Sequence, residues 1–233
     1  MQQLMRRSAE RGFFDHGWLK TYHTFSFGDY QDPEWVDFGP LRVINDDRVA
    51  AGQGFGKHGH RDMEIVTYML AGELEHKDSM GNGSVIKVGD VQRMSAGTGV
   101  LHSEFNPSSK AEAHLLQIWI HPHTRQLPPG YEQKHFEASE KRGRLRLIAA
   151  GEPREGAVLI HQDARIFAGL FDGAEHAEFA VPAGRRAWLH VARGSLLVND
   201  TRLAAGDGVG IAGPAQLALR GGESAEVLLF DLP

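Results

Sequence analysis

Short apolar runs recur along the first half of the chain, separated by glycine-bearing turns. Residues 41–44, 64–70, 72–76, 84–88, 90–94 and 113–120 carry such runs. Segments of this length, bounded by turn-forming residues, read as strands rather than helices. Their close spacing predicts an antiparallel sandwich or barrel. No helical periodicity is sustained for long, and short helical turns are expected only near residues 132–142.

The second half repeats the pattern with runs at 186–192, 194–198, 202–208, 216–219 and 225–230. A strand, a glycine, a strand, a turn and a Gly-Asp step follow one another in both halves. Gly72, Gly89 and Asp90 mark the first copy, and Gly194, Gly206 and Asp207 the second. The repetition predicts a duplicated β-barrel. Residues 121–145 change character, with Pro122, Pro128 and Pro129 in turn-like surroundings, so the boundary is expected near 130–145. The expected domains are residues 1–132 and 133–233, and the fold class is all-β.

Composition narrows this picture in a few places. A chain of 233 residues suits one large β domain or two of about 100 residues each. The 28 glycines stand well above the usual share of roughly 7% and agree with many tight turns. There is no cysteine, so disulfides and thiolate zinc sites are excluded. A net charge of −5 without a basic run argues against direct nucleic-acid binding. No stretch reads as a signal peptide or a membrane span, and a cytoplasmic location is expected.

Histidine placement carries the chemistry. His58-Gly-His60 and His102-Ser-Glu104 each set two metal-ligating side chains at i and i+2. On a strand those positions share a face, so each pair aims two donors at one point. Two such strands facing each other supply three imidazoles and a carboxylate, a set suited to a divalent transition metal. Two other pairs compete among the 13 histidines. His76-Lys-Asp78 runs into a glycine-rich hairpin turn, and His121-Pro-His123 reads as a loop. His190 stands alone on its strand and reads as a packed or surface side chain.

Larger blocks around these pairs resemble a known family. The spacing from Gly52 through His58, His60 and Glu64 to Gly72, and from Gly89 through Gly97 to His102, resembles the paired motifs of the cupin superfamily. His23-Thr-Phe-Ser-Phe27, the block 41–46, the block 58–64, Asp78-Ser-Met-Gly81 and the block 95–104 are similar to signature segments of pirin and pirin-like proteins. The resemblance covers most of residues 16–120.

It implies a bicupin of two stacked, jelly-roll-like β-barrels with metal only in the first. It maps the ligands onto His58, His60, His102 and Glu104. In many other cupins the carboxylate ligand stands where Glu64 stands, and the two carboxylates compete for one role. Glu104 is favoured, and Glu64 is assigned to a supporting or polar-interface position. Fe(II) is the expected ion, with Ni, Cu, Mn, Co and Zn also accepted by such a set.

The implied activity is a quercetin 2,3-dioxygenase, opening a flavonol ring with O₂ and releasing CO, with Glu104 as catalytic base. Phe25, Phe27, Phe55 and Met63 are pocket candidates, with the barrel core as the more ordinary place for such residues. A second reading is a metal-dependent, redox-responsive regulator that binds a protein partner without turnover, and a third is a metabolite-processing cupin such as an isomerase. A flavonol-like aromatic substrate and O₂ are the expected small-molecule partners. The chain is expected to act as a monomer.

Overall fold

The structure is a computed structural model that describes residues 2–233. It falls into two compact units. One comprises Gly12–His135 and Val158–Gln162. The other comprises the chain up to Arg11, Phe136–Ala157 and Asp163–Pro233. Among the described residues no helix is long and apolar enough to cross a membrane.

The first unit is two antiparallel sheets. The larger runs in the order Gly130–His135, Asp90–Ser95, Glu64–Ala71, Ala113–Ile120, Leu41–Val49, Leu19–His23 and Gly12–Asp15. The smaller runs Gly54–His60, Val100–Phe105, Glu73–Asp78, Gly83–Lys87. Their inner faces meet in a cluster of Leu19, Val49, Met69, Ala113 and Leu115 from the larger sheet with Leu74 and Ile86 from the smaller. Burying each leucine or isoleucine there contributes about 1.5–3 kcal/mol.

Polar residues interrupt this interior at one level. His23, Asn45, Gln117, Thr67 and Gln92 stand in register across five neighbouring strands. All five are buried. Strand alternation puts them on the face that also carries Val49, Met69 and Leu115. A buried row of this kind needs partners. Three are visible: His23 Nδ1 lies 2.7 Å from Asn45 Oδ1, Thr67 Oγ1 donates to Gln117 Oε1 at 3.1 Å, and Gln117 Nε2 donates to Glu104 at 3.0 Å.

The second unit is one sheet ordered Gln2–Arg6, Gly208–Ala212, Arg186–Val198, Ala215–Leu232, Arg165–Phe171, Arg146–Ala150, with Ala177–Val181 paired to Ala215–Leu232 and Thr201–Ala204 to Arg186–Val198. Its interior is filled by apolar side chains, among them Phe171, Leu189, Leu196, Leu217 and Leu229. The sequence reading counts the N-terminal residues with the first domain, yet Gln2–Arg6 pairs with Gly208–Ala212 of this sheet.

Three local expectations change. Residues 132–135 are strand, and the helix is the single turn Ala138–Lys141. The runs 186–192 and 194–198 are one continuous strand, as are 216–219 and 225–230. The break that Gly194 signalled is a bulge. The pairing register shifts on either side of it, and its φ is +64°. A Cβ there would lie 2.3 Å from the carbonyl oxygen of Glu223. Gly72, its counterpart, has φ +69° and the same close approach, 2.9 Å, to the carbonyl of Glu112.

The Gly-Asp steps match in detail. Asp90 accepts from the backbone N–H of Lys87 at 2.9 Å, and Asp207 from that of Ala204 at 3.1 Å, each three residues earlier. Gly89 and Gly206 have φ of +94° and +86°. The same turn chemistry closes the corresponding hairpin in both units.

A candidate metal centre in an aromatic cavity

Strand pairing in the smaller sheet brings the histidines together. His102 sits directly opposite His58, and Val100 opposite His60. The Nε2 atoms of His60 and His58 lie 2.8 and 3.0 Å from Nε2 of His102. His58 Nδ1 is 2.8 Å from the carbonyl of Gly56, where it donates and leaves Nε2 as a bare lone pair. Three imidazole nitrogens so close cannot all be satisfied by sharing protons. A cation among them resolves the conflict, so the donor set fits a divalent transition metal. Burial and the neighbouring His58 lower the pKa of His60 to about 4 and that of His102 to about 3, which favours the neutral, ligating form.

A bulge follows His102, so the register shifts before Glu104. Glu104 is 2% exposed. Its Oε2 accepts from Gln117, and its Oε1 has no hydrogen-bond partner among the described residues. Burial and then the charge of Asp47 push its pKa up to about 7. An unpartnered buried carboxylate oxygen on a residue whose ligand atom lies within 4.8 Å of a His102 nitrogen is a further observation consistent with an ion. His58, His60 and His102 form one group able to hold a metal, and His102 and Glu104 recur in a second group with His76.

His76 carries more than the hairpin reading gave it. Its ring is fully buried, 5.3 Å from the ring of His102, and its Nε2 lies 3.3 Å from Asp78 Oδ2. The glycine-rich turn follows two residues later, while His76 itself points inward from the Glu73–Asp78 strand. His121 and His123 lie beyond Ala113–Ile120, and His123 is tied to the carbonyl of His161.

Glu64 is elsewhere. Its Oε2 accepts from Ser95 Oγ at 2.8 Å and from the backbone N–H of His161 at 3.1 Å. The strand ends at His60, and the chain turns through Asp62, φ +49°, before Glu64 opens another strand. Glu64 clamps the 158–162 segment to its own unit.

The histidines and Glu104 open onto a cavity of about 420 Å³. Trp18, Phe27, Phe55, Ile65 and Trp119 supply its apolar walls, and Asn45, Asp47 and Gln117 its polar ones. Trp18 meets Phe55 edge-on at 5.2 Å, and Trp119 meets both Phe27 at 5.2 Å and His60 at 4.9 Å the same way. Gly56 also lines it, and a Cβ there would meet no atom within 4 Å. Of the four pocket candidates, Phe27 and Phe55 face the cavity. Phe25 is buried in the core, and Met63 packs with Ile65, Met94, Ala96 and Val100.

Asp47, Asn45 and Gln117 escaped the sequence reading. The signal for Gln117 is a single amide inside the otherwise apolar 115–120 run. The signal for Asn45 and Asp47 is an i, i+2 polar pair inside a buried strand. Burial and the neighbouring Asp46 charge push Asp47 up to about 7.

Known proteins share this fold and much of its sequence. Residues 4–120 match the family model described as Pirin, and residues 147–232 match that of the quercetinase C-terminal cupin domain. The chain is 44% identical over 229 residues to a quercetin 2,3-dioxygenase of Escherichia coli strain K12, covering 98% of each chain. It is 39% identical over 221 residues to a pirin-like protein of Caulobacter vibrioides, covering 94% of this chain and 95% of that one. The crystal structure of YhhW from Escherichia coli superposes with a TM-score of 0.95 at 43% identity, covering 100% of this chain and 98% of that one. A second structure, of the bacterial pirin YhhW in complex with nickel(II), superposes with a TM-score of 0.94 at 43% identity, covering 100% and 99%. Motif blocks, double-barrel architecture and near end-to-end similarity agree: this chain belongs to the pirin family and has its bicupin fold.

Proposed function

We propose that this chain is a metal-dependent dioxygenase that opens the central ring of a flavonol with O₂ and releases CO. His58, His60, His102 and Glu104 hold one divalent transition metal, Fe(II) by preference. The convergence of three Nε2 atoms, those of His60 and His58 within 3.0 Å of that of His102, at the wall of an aromatic cavity, carries the reading. The quercetin 2,3-dioxygenase name of a relative and the nickel(II) in YhhW support it.

When bound, the ion supplies Lewis acidity toward the substrate's oxygens and a path for electrons between substrate and O₂. The rest is the work of side chains. Trp18, Phe27, Phe55 and Trp119 offer flat apolar walls that hold a planar ligand and exclude water. Glu104 takes the proton of the flavonol 3-hydroxyl. Its raised pKa, about 7, matches a base that must release the proton again near neutrality. Gln117 anchors one oxygen of that carboxylate and leaves the other free. Thr67 in turn fixes the Gln117 amide.

The test is an oxygen-electrode trace with quercetin on protein whose metal content is known from elemental analysis. Stoichiometric O₂ uptake with CO release is expected. A metal-loaded protein that binds quercetin and consumes no O₂ overturns the reading.

A further inference from the structure

Beside the metal cavity lies a smaller one of about 170 Å³. Sites for drug-sized ligands run to roughly 300–1,000 Å³, so this space suits a head group of a few heavy atoms. Phe14, Phe27 and Phe55 line it, all three half-buried. His23 joins two of these rings, its centroid 5.5 Å from that of Phe14 and 5.3 Å from that of Phe27. His16 stacks on Phe14 at 6.1 Å. Both imidazoles also line the space, so five rings gather round it.

The charge around these rings is one-sided. Asp29 and Asp47 line the space, and among the described residues no lysine or arginine does. Asp29 is exposed, on the turn that Phe27 and Tyr30 close with two backbone hydrogen bonds. Asp47 is 4% exposed.

This lining selects a ligand class. The face of an aromatic ring attracts a cation within about 6 Å, more strongly where water is excluded. Two carboxylates add to the same field. An anion is repelled by both. An ammonium with N–H groups needs acceptors, yet most of the wall is aromatic and the Asp47 carboxyl is already bonded by the Thr21 side chain. A fully alkylated ammonium carries the charge, needs no acceptor, and offers methyl groups to the rings.

We propose that the smaller cavity binds a quaternary ammonium group of the choline class, seated among the Phe14, Phe27 and Phe55 rings with Asp29 answering its charge. The site does not rest on the flavonol reading and stands whether or not quercetin is turned over.

Calorimetric titration of the metal-loaded protein with choline tests it. The comparison ligand is the neutral carbon isostere of choline, a dimethylbutanol of the same shape. Low ionic strength keeps the field unscreened, and pH 8 lies above the value of about 7 to which burial raises Asp47. Choline is expected to bind roughly tenfold more tightly than its isostere. Phe14→Leu keeps an apolar side chain and removes a ring. It is expected to weaken choline severalfold and to leave the isostere nearly unchanged. Asp29→Asn is expected to weaken choline and to flatten its salt dependence.

Equal affinity for the two ligands overturns the site, as does a wild type that binds no choline. Choline binding that is unchanged in both variants places the cation elsewhere and overturns it too. Should Phe14→Leu fail to fold, the wild-type pair of ligands and the exposed Asp29→Asn change still decide, because a choline preference indifferent to Asp29 dismisses the proposal.

Discussion

Gln117 Nε2 donates to Glu104 Oε2 at 3.0 Å, and this bond fixes which oxygen of the carboxylate stays free. The two residues come from different sheets, on the strands Ala113–Ile120 and Val100–Phe105. The amide is itself held by Thr67. The orientation of the proposed base is therefore set by side chains from the larger sheet, outside the histidine triad.

Glu104→Gln keeps the shape of the site and removes the base. Quercetin turnover is expected to fall by roughly 10²–10⁴ while much of the metal remains. Gln117→Leu is expected to lower turnover less, with the metal retained. Parallel metal analysis and O₂ uptake check both. Full turnover in Glu104→Gln would assign the proton transfer elsewhere.

His102 lies within 3.0 Å of both other imidazole nitrogens, so its loss opens the centre on two sides. His102→Ala and His58→Ala are expected to lose most of the roughly one equivalent of metal in the wild type. His121→Ala, on the loop, is expected to retain it. Elemental analysis of the three proteins after identical purification decides. Undiminished metal in the first two would move the centre.

Asp47 gives a pH signature in protein stripped of metal. Its carboxyl is raised in the folded chain to about 7 from an ordinary 3.8. A raised carboxyl holds its proton more tightly when folded, so its contribution to stability is complete below the unfolded value and lost as pH climbs through about 7. Asp47→Asn lacks this dependence. It is expected to be more stable than wild type at pH 8, by up to about 4 kcal/mol, and little changed at pH 4. Urea unfolding at the two pH values reads the difference. A gain of the same size at both would dismiss the carboxyl as its source.

Glu64→Gln separates scaffold from site. The clamp to Ser95 and His161 loses its charge, and the protein is expected to lose about 1–3 kcal/mol of stability. Turnover per metal-loaded, folded molecule is expected to stay at the wild-type level. Loss of metal from Glu64→Gln, with Glu104→Gln unaffected, would hand the ligand role to Glu64.

Much of this was legible in the chain. Alternation and glycine punctuation mark the strands of the first unit, because each strand is short and ends at a turn. The i, i+2 pairs place His58, His60, His102 and Glu104 at one cavity, because strand periodicity carries each pair intact to one face. The same rule does not reach Glu64, where a turn at Asp62 resets the period and leaves that carboxylate in the supporting position expected of it. Gly194 read as a strand end because a bulge and a turn ask for the same residue. Asn45, Asp47 and Gln117 stayed hidden because their meaning depends on register between strands far apart in sequence. Gln2–Arg6 could not be assigned to a sheet from five residues, since nothing local says which edge receives them.

Gly56 sits in the cavity wall with open space where a side chain would go. A Cβ added there meets no atom within 4 Å, so a small side chain fits without displacing backbone or histidine. One codon thus adjusts what the cavity admits, while the fold and the ion-binding set are inherited unchanged. Selection can then retune substrate choice without putting the chemistry at risk, and lineages sharing this centre are free to diverge in diet before they diverge in mechanism.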